Sequence, residues 1–317
     1  MGAAAVVLGA SGYTGAEVLR LLARHPAIEV VGAAAETRAG SRVGDALPHL
    51  RGSFDLRLRR VDEVASAGDV CFSCLPHGTL PRHLDAVTAD VVVDLGDDFR
   101  ADPGWLYGLP ELDGGAGPRI ANPGCYPTAA LLCTVPFARA GAIDGPVVVD
   151  ALSGVSGAGR APKDHLLFAN VAGGAAAYGT VEHRHVPEIE RGLARYGGLD
   201  TTVSFTPHLV PMARGLLVTA RARTTLSTDD EAVEILRAAY LDAPFVVAVQ
   251  EWPATKDVAG TNRALVSARV DRRSGFLVCS AAIDNLGKGA AGQAVQNANR
   301  ALGLDETTGL EGIAVWP

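Results

Sequence analysis

The chain has 317 residues, a hydrophobic share of 48%, a formal net charge of -7 and five cysteines, which predicts about two domains with sizeable cores. Lysine and arginine are scattered along it and no apolar run reaches the roughly 18 residues that span a bilayer, so neither nucleic acid nor a membrane is an expected partner. Because no signal-like segment precedes the first predicted strand and the cysteines form no paired framework, we expect a cytoplasmic protein.

A glycine-rich turn follows the first predicted strand. Ala3–Leu8 is a short apolar run typical of a buried parallel strand, and Glu17–Arg24 continues as an amphipathic helix. The turn Gly9–Gly15 lies between them, in the order that places a pyrophosphate at a helix N-terminus. Its spacing is G-x-x-G-x-x-G rather than G-x-G-x-x-G. The glycines alone therefore leave open both nucleotide binding and a turn without a ligand.

The end of the second predicted strand, Ile28–Ala35, should select the nucleotide. Glu36, directly after it, would hydrogen-bond the ribose of NAD. Arg38, with Ser41 and Arg42 nearby, would instead accept the 2′-phosphate of NADP. Both signals are present, and the residues by themselves leave the choice open.

Two further buried strands are predicted, Val70–Cys74 and Val91–Asp94. The first contains a C-x-x-C, formed by Cys71 and Cys74. A structural zinc site would need a second pair of ligands, so we expect these thiols to pack in the core. The alternation of strands and helices up to about Gly145 predicts a doubly wound parallel sheet.

The turn Leu75–Gly78 lies at the carboxyl end of one of these strands, where open α/β sheets bind ligands. His77 would lie beside a cofactor there, or would only fill the loop. Asp94–Leu112 has little periodicity and predicts an irregular excursion.

A reactive cysteine is predicted where the chain enters a long helix. Asn122–Thr128 reads Asn-Pro-Gly-Cys-Tyr-Pro-Thr, and the apolar run behind it suits a helix of about three turns. Cys125 would lie in the loop or in the first turn, where free main-chain N–H groups and the helix dipole favour a thiolate. A small buried cysteine that only opens a helix is the alternative at this point.

The second half of the chain begins with a strand, Val147–Leu152, and a glycine-rich loop, Ser153–Arg160. The N–H groups and the arginine of this loop, together with Lys163, could hold a phosphate. A flexible surface loop without a ligand is the alternative.

Three histidines are candidates for the acid and base that a nucleophilic cysteine needs near neutral pH. His183 and His185 lie at the entrance of a predicted helix, Glu188–Arg195. They and the first carboxylate of that helix are too few ligands for a metal site, so we expect substrate contact or capping. His208 follows the predicted strand Thr202–Thr206, and two flanking prolines would hold it in an extended turn.

The remaining elements predict a mostly antiparallel α+β domain, whose large sheet could offer a face for self-association. They are the strands Gly215–Leu226, Phe245–Glu251, Ala264–Val270 and Phe276–Ile283 and the helix Asp229–Tyr240. The last helix, Ala290–Leu302, is expected to return to the first domain. We therefore place a nucleotide-binding, Rossmann-type domain at residues 1–146 with 285–317, and a substrate-binding and oligomerisation domain at residues 147–284.

Several of these stretches match one family. They are Gly9–Gly15, Leu75–Gly78, Asn122–Thr128, Glu182–Glu188, Thr206–Gly215 and Asp284–Gly289. Together they resemble the N-acetyl-gamma-glutamyl-phosphate reductases, NADPH-dependent enzymes of arginine biosynthesis that form a semialdehyde. The cysteine motif alone is shared in outline with aspartate-semialdehyde dehydrogenases, so the specific signal is the combination of Glu182–Glu188 with the stretch that begins at Thr206.

The resemblance implies an oxidoreductase. N-acetyl-gamma-glutamyl phosphate, a small acyl phosphate, would be reduced by NADPH to N-acetylglutamate semialdehyde and phosphate. Cys125 would form a thioester, His208 would be the acid and base, and the enzyme would be a homodimer or homotetramer. A sibling enzyme that acts on aspartyl phosphate or on a carrier-linked aminoadipyl phosphate is the alternative with the same chemistry. A redox sensor would need a resolving cysteine close to Cys125, and Cys133 lies about two helical turns away.

The resemblance also assigns the residues of the site. It places the cofactor on Gly9, Ser11, Gly12, Tyr13, Thr14, Gly15, Arg38, Ser41, Leu75, Pro76, His77, Pro123, Gly157, Asn285 and Lys288. It places the substrate against Asn122, Ser153, Arg160, Lys163, His183, Arg184, His185 and Glu188.

Overall fold

The computed structural model describes residues 2–316, which form two compact units. The first unit comprises residues 2–110, Gly114–Pro123 and Ala290–Glu311. The second comprises Glu111–Asp113, Gly124–Gly289 and residues 312–316. The chain therefore enters the main part of the second unit directly before Cys125.

The first unit is built on a six-stranded sheet in which all neighbouring strands are parallel. Its strands are β1 Ala3–Leu8, β2 Ile28–Ala34, β3 Val70–Ser73, β4 Val91–Asp94, β5 Leu106–Tyr107 and β6 Arg119–Ala121. They follow the order β2-β1-β3-β4-β6-β5 in space. Continuous apolar runs suit this position, because a parallel sheet is covered on both faces, and β3 and β4 are buried along their whole length.

The second unit is built on a seven-stranded mixed sheet. Its strands are β7 Ile143–Gly154, β8 Ala176–Ala177, β9 Val203–Val210, β10 Leu216–Thr224, β11 Val246–Ala248, β12 Ala264–Asp271 and β13 Phe276–Ile283. Their order is β11-β12-β13-β10-β7-β9-β8. The pairs β11-β12 and β7-β9 are parallel and the other pairs are antiparallel. Alternate residues of β10 are buried, as expected where only one face of a sheet lies on a core.

The α-helices cover the two sheets. They are α1 Tyr13–Leu22, α2 Val43–Ala46, α3 Pro110–Asp113, α4 Cys125–Arg139, α5 Phe168–Val171, α6 Val186–Gly197, α7 Asp229–Ala239 and α8 Gly292–Ala301. In the first unit, α8 packs on β4 and α1. In the second unit, α4 lies on the sheet between α6 and α7. Nearly every residue of α4 is buried, which explains why its sequence is apolar on all sides.

The predicted fold class, a doubly wound parallel sheet with a second α+β domain whose sheet is mostly antiparallel, is confirmed. The predicted domain limits differ from the observed units. The first unit ends at Pro123 instead of residue 146, because α4 packs on the second sheet. It resumes at Ala290 instead of residue 285, since the side chains of Asp284 and Asn285 bind main-chain N–H groups within the second unit.

Several element limits also differ. The first helix begins at Tyr13 and ends at Leu22, earlier than predicted, and α4 has 15 residues, about a turn more than predicted. The excursion after β4 contains β5 and most of α3. Within residues 2–316, no helix combines the length and apolar character needed to cross a bilayer.

Candidate active site

The glycine turn joins β1 to α1 in the first unit. Gly9 has a φ of +78°, and an added Cβ would lie 2.4 Å from the carbonyl oxygen of Cys74, so only glycine fits there. Gly12 is the N-cap of α1 and no side chain caps this helix end. The first N–H groups of the helix therefore face an anion-binding position. The other predicted pyrophosphate contacts lie in the same turn or in the first turn of α1: Ser11, Tyr13, Thr14 and Gly15.

The residues that bear on the choice of nucleotide follow β2. Glu36–Arg38 is an exposed 3₁₀ turn, and Ser41 lies three residues further on. Both the acidic and the basic signal therefore lie at the carboxyl end of β2, where Rossmann-type sheets bind the adenosine ribose.

A polar network fixes the turn after β3. The Nδ1 atom of His77 lies 2.9 Å from Asp97 Oδ1 and 2.6 Å from Asp98 Oδ1. The N–H group of Gly78 also donates to Asp98 Oδ1, at 2.7 Å. His77 is therefore held at the surface beside the segment that follows β4, and Leu75 and Pro76 precede it at the carboxyl end of β3.

Asn122 does not present its side chain to a substrate. It is 1% exposed, its Oδ1 accepts from Asn297 Nδ2 at 3.1 Å, and its Nδ2 donates to the carbonyl oxygen of Ala290 at 3.2 Å. Pro123, which follows it, is buried as well. The predicted substrate contact of Asn122 is therefore replaced by a packing role inside the first unit.

Cys125 is the first residue of α4, with Gly124 as the N-cap. The Gly124 N–H group donates to the buried carboxylate of Glu188 at 2.9 Å. On another side, a Cβ added to Gly289 would lie 2.8 Å from the Cβ of Cys125, so the main chain of that residue packs directly on the cysteine. The nucleophile predicted from the sequence is thus partly exposed and sits in a tightly fixed helix start.

A cluster of aromatic rings follows Cys125. The hydroxyl groups of Tyr126 and Tyr178 are 2.7 Å apart, and the Tyr126 ring packs edge-on against Phe205. His183 and His185 also contact the Tyr126 ring, with centroids 5.6 Å and 5.9 Å away. Burial raises the pKa of both tyrosines, so both hydroxyls stay protonated and can donate hydrogen bonds at neutral pH.

The two histidines of this cluster differ in environment. The Nδ1 atom of His183 accepts a hydrogen bond from the His185 N–H group at 3.1 Å, and burial lowers the pKa of His183 to about 4, with a smaller contribution from Arg184. His183 is therefore neutral at pH 7. His185 is 5% exposed and is the N-cap of α6, three residues before Glu188, on the side of the helix that meets α4. Arg184 between them is exposed.

His208 lies inside β9 and not in the predicted extended turn. The strand continues through Pro207 to Val210, because its unbroken parallel register with β7 needs no N–H group from that proline. Side chains alternate along a strand, so His208 points to the face opposite Phe205, which contacts Tyr126. Its Nδ1–H group donates to the carbonyl oxygen of Ala151 at 3.3 Å. This position, on the face opposite Phe205 and Tyr126, does not support His208 as the acid and base beside Cys125.

The glycine-rich loop after β7 is anchored by Asn285. The Asn285 side chain donates to Ser156 Oγ at 2.9 Å and accepts from the Gly215 N–H group at 2.8 Å. A Cβ on Gly157 would lie 3.1 Å from the buried hydroxyl of Ser153, so the loop folds closely over that residue. Arg160 and Lys163, the predicted phosphate ligands, follow on an exposed stretch.

Lys288 forms a buried ion pair. Its Nζ atom lies 2.6 Å from Glu111 Oε1, and the exposed fractions of the two side chains are 0% and 2%. The ammonium group also lies 5.7 Å from the centre of the Phe245 ring. Lys288 is therefore engaged inside the second unit, where it fixes the π-helical turn Gly287–Ala291, and the expected contact with the nicotinamide is replaced by this role.

The sequence did not reveal two of these partners. Tyr178 lies next to β8, a strand of only two residues, and Glu111 lies in a segment without periodicity. Neither residue belongs to a sequence motif. Tyr178 is identified by its contact with Tyr126, and Glu111 by its ion pair with Lys288.

The other cysteines fill the core. Cys71 and Cys133 are fully buried, and burial raises the pKa of both thiols. The prediction that the C-x-x-C belongs to core packing is confirmed for Cys71, while Cys74 is partly buried at the end of the strand. α4 is continuous from Cys125 to Cys133, which leaves the two cysteines about two turns apart, beyond the reach of a disulfide.

Two family models match the chain. The model described as "Semialdehyde dehydrogenase, NAD binding domain" matches residues 4–116, and the one described as "Semialdehyde dehydrogenase, dimerisation domain" matches residues 125–285. The second match points to an oligomer. The gap between the two matches contains Asn122 and Pro123.

The chain is also similar to named proteins along its whole length. It is 46% identical to an N-acetyl-gamma-glutamyl-phosphate reductase of Salinispora arenicola, with 100% of each chain covered. It is 46% identical to the protein of the same name in Mycobacterium avium, with 98% of each chain covered.

Solved structures share the fold at lower identity. Aspartate semialdehyde dehydrogenase II of Vibrio cholerae, complexed with ASA, has a TM-score of 0.76 at 18% identity, with 95% of this chain and 98% of that chain covered. Aspartate semialdehyde dehydrogenase of Candida albicans with NADP has a TM-score of 0.72 at 18% identity, with 95% and 99% covered.

Proposed function

Because this chain belongs to the N-acetyl-gamma-glutamyl-phosphate reductase family of semialdehyde dehydrogenases, we propose that it reduces N-acetyl-gamma-glutamyl phosphate to N-acetylglutamate semialdehyde and phosphate, with NADPH as reductant, in arginine biosynthesis. The observation that carries the proposal is the setting of Cys125. It opens a 15-residue buried helix whose N-cap is fixed by Glu188. Free N–H groups and the positive end of the helix dipole favour a thiolate there.

The first chemical step is an acyl transfer. The thiolate of Cys125 attacks the carbonyl carbon of the acyl phosphate, the carbon–oxygen bond to phosphate breaks, and phosphate leaves with the electron pair. The product of this step is a thioester on Cys125. Arg160 and Lys163 carry the charges that would stabilise the leaving phosphate.

We assign the acid and base to His185 instead of His208. His185 is buried, contacts Tyr126 next to the nucleophile, and lies on the same side of α6 as Glu188, which binds the N-cap of α4. It would give a proton to the oxyanion that forms when hydride adds to the thioester. It would take that proton back as the carbon–sulfur bond breaks, so that the semialdehyde leaves and the Cys125 thiolate is restored, and the reverse reaction uses the same transfers in the opposite order. His183 and Arg184 then remain for the substrate, with His183 acting as a neutral group because its pKa is about 4. Ser153, the other predicted contact, is buried and its hydroxyl donates to the carbonyl oxygen of Gly154 at 3.1 Å.

The first unit fits a nicotinamide nucleotide. Gly9 lets the turn pack closely on the main chain of Cys74, and the start of α1 carries no side-chain cap, as a pyrophosphate site requires. When bound, NADPH supplies the hydride that reduces the thioester. Arg38 and Ser41 would hold the 2′-phosphate, and His77 lies at the carboxyl end of β3, on the ligand-binding edge of the sheet.

The remaining parts of the proposal concern assembly and location. We propose a homodimer or homotetramer built through the second unit, in agreement with the family model for a dimerisation domain. We also propose a cytoplasmic enzyme with a small-molecule substrate, because none of the five cysteines forms a disulfide in the described structure.

The test runs the reaction in reverse. The protein is mixed with N-acetylglutamate semialdehyde, phosphate and NADP, and the formation of NADPH is followed by absorbance. Aspartate semialdehyde and NAD serve as parallel controls. Reduction that depends on the acetylated substrate and on phosphate supports the proposal. Turnover of aspartate semialdehyde alone would move the chain to the sibling activity, and no turnover of either would contradict an acyl-phosphate reductase.

A further inference from the structure

We propose that Arg60 sets the preference of this protein for NADPH over NADH, by neutralising and holding Glu36 at the end of β2. The inference rests on the proposed function, since its ligand is a nicotinamide nucleotide. An acidic residue at this position ordinarily hydrogen-bonds the ribose hydroxyls of NAD and repels a 2′-phosphate. The sequence therefore predicts a conflict between Glu36 and Arg38.

The structure removes this conflict by engaging both oxygens of the Glu36 carboxylate. Oε1 accepts a hydrogen bond from the Val61 N–H group at 3.0 Å, and Oε2 lies 3.2 Å from the Arg60 guanidinium group. Glu36 thus serves as an acceptor for a turn that lies 25 residues further along the chain. Its charge is compensated before any ligand arrives.

Main-chain pairing holds Arg60 in this place. The Arg59 N–H group donates to the carbonyl oxygen of Ala33 at 3.0 Å, and the Arg59 carbonyl oxygen accepts from Ala35 at 2.9 Å. One residue earlier, the Leu58 N–H group donates to the carbonyl oxygen of Ser41 at 2.9 Å, and the Leu58 side chain is fully buried. The segment is therefore fixed against both the end of β2 and the loop around Ser41, which holds the main chain of Arg60 next to Glu36.

The same main-chain pairing places a second arginine, Arg59, beside the carboxyl end of β2. Arg38 and Arg59 are both exposed, and within residues 2–316 neither side chain makes a hydrogen bond or an ion pair. The main chains of both residues contact Ala35: its carbonyl oxygen accepts from the Arg38 N–H group at 3.1 Å, and its N–H group donates to the Arg59 carbonyl oxygen. By contrast, Arg42 is paired with Asp55 at 3.2 Å. Guanidinium groups bind phosphate in a bidentate manner, so Arg38 and Arg59 are the groups we assign to the 2′-phosphate.

Arg60 acts through Glu36 and is therefore a positioning residue for nucleotide choice. Without it, the charge of the Glu36 carboxylate would be uncompensated at the end of β2. It would then repel the 2′-phosphate of NADPH and offer an acceptor to the ribose of NADH. NADPH affinity should fall while NADH affinity stays the same or rises, which a general loss of structure would not produce.

The experiment measures dissociation constants of NADPH and NADH by titration calorimetry on the full chain. We expect Arg60→Ala to lower the ratio of NADPH to NADH affinity by about tenfold or more. Arg60→Lys should keep most of the ratio, and adding Glu36→Gln to Arg60→Ala should restore most of the NADPH affinity, because the repelling charge is then gone. Arg24→Ala removes an equal charge at an exposed position outside this surface and should leave the ratio unchanged.

Each alternative outcome is distinct. If wild type binds NADPH and Arg60→Ala leaves the ratio unchanged, or if Glu36→Gln gives no rescue, Arg60 does not set the preference, while the proposed function stands. If wild type prefers NADH, Glu36 reads the ribose in spite of Arg60 and this inference is overturned. If wild type binds neither nucleotide, both the inference and the proposed function are overturned.

Discussion

The first turn of α4 and the carboxyl end of β2, both predicted from short motifs, differ in the burial of their functional side chains. Around the first turn of α4, in the second unit, the partners of Cys125 are buried and are fixed by close contacts, such as that between Gly124 and Glu188. At the carboxyl end of β2, in the first unit, the candidate ligands are exposed guanidinium groups carried on a paired main chain. The group that makes and breaks bonds is therefore held in a rigid and largely buried frame, while charge recognition uses side chains that water can reach.

Substitutions in the buried region should cost much in rate or in stability, because an unpaired buried group has no solvent to replace its partner. Substitutions on the exposed surface should change stability little and should act mainly on the bound nucleotide.

The largest effect is expected for Cys125→Ser. The serine hydroxyl is a far weaker nucleophile than a thiolate, so the rate of semialdehyde oxidation should fall by about 10³-fold or more. The dissociation constant for NADPH should stay within about twofold of wild type, because the substitution leaves the glycine turn untouched. The rate is measured as phosphate-dependent NADPH formation. A variant that turns over like wild type would remove Cys125 from the mechanism.

His185→Asn should lower the rate by roughly 10²–10⁴-fold and should flatten the limb of the pH–rate profile that the histidine controls. His208→Asn is the matched control, because it removes a histidine from the opposite face of the sheet; we expect a change of less than about tenfold. If the two variants exchange these results, the assignment made from the strand register is wrong and the acid and base is His208.

Lys288→Met should destabilise the fold by about 3–5 kcal/mol, because Glu111 would keep a buried charge without its partner. The double variant Lys288→Met with Glu111→Leu should recover a large part of the loss, since no unpaired charge remains. Urea unfolding followed by circular dichroism gives both values. Equal stability of wild type and the single variant would contradict a buried ion pair.

The neutral state of His183 predicts an acid sensitivity. In the folded protein the pKa of His183 is about 4, whereas its ordinary value is 6.5. Between these values the unfolded chain binds a proton that the folded chain does not, so the free energy of unfolding falls as the pH is lowered through this window. The contribution of His183 is fully present above pH 6.5 and is lost toward pH 4.

The measurement compares unfolding free energies at pH 7 and pH 5. In His183→Phe the decrease between the two pH values should be smaller than in wild type by up to about 2 kcal/mol. His165→Phe, at an exposed position, should keep the wild-type decrease. Parallel pH dependence in all three proteins would mean that His183 is not held neutral by burial.

The smallest effect is expected on the exposed surface. Arg42→Gln breaks the ion pair with Asp55, in which both side chains are largely exposed, so stability should change by less than about 1 kcal/mol. Thermal unfolding at two salt concentrations measures this change. A loss of stability as large as that expected for Lys288→Met would contradict the proposed difference between the buried and the exposed region.

Local sequence patterns were enough to predict the parallel sheet, the glycine turn and the position of Cys125 at a helix start. These features arise from local rules: continuous apolar runs make buried strands, a positive φ requires glycine, and a helix exposes N–H groups at its beginning. For this reason the predicted limits of β1, β4 and β13 coincide with the observed ones.

Contacts between side chains that are distant in the sequence follow only from the folded structure. The ion pair of Lys288 joins residues 177 positions apart, and the engagement of Glu36 joins residues 25 positions apart. The face on which His208 lies depends on the register of β9 with β7, which no local pattern encodes. Such partners are selected by burial and by the pairing of distant strands. A motif can therefore identify a residue without showing whether its side chain binds the ligand or stabilises the fold. In this protein, the contacts of each side chain in the folded structure distinguish the two roles.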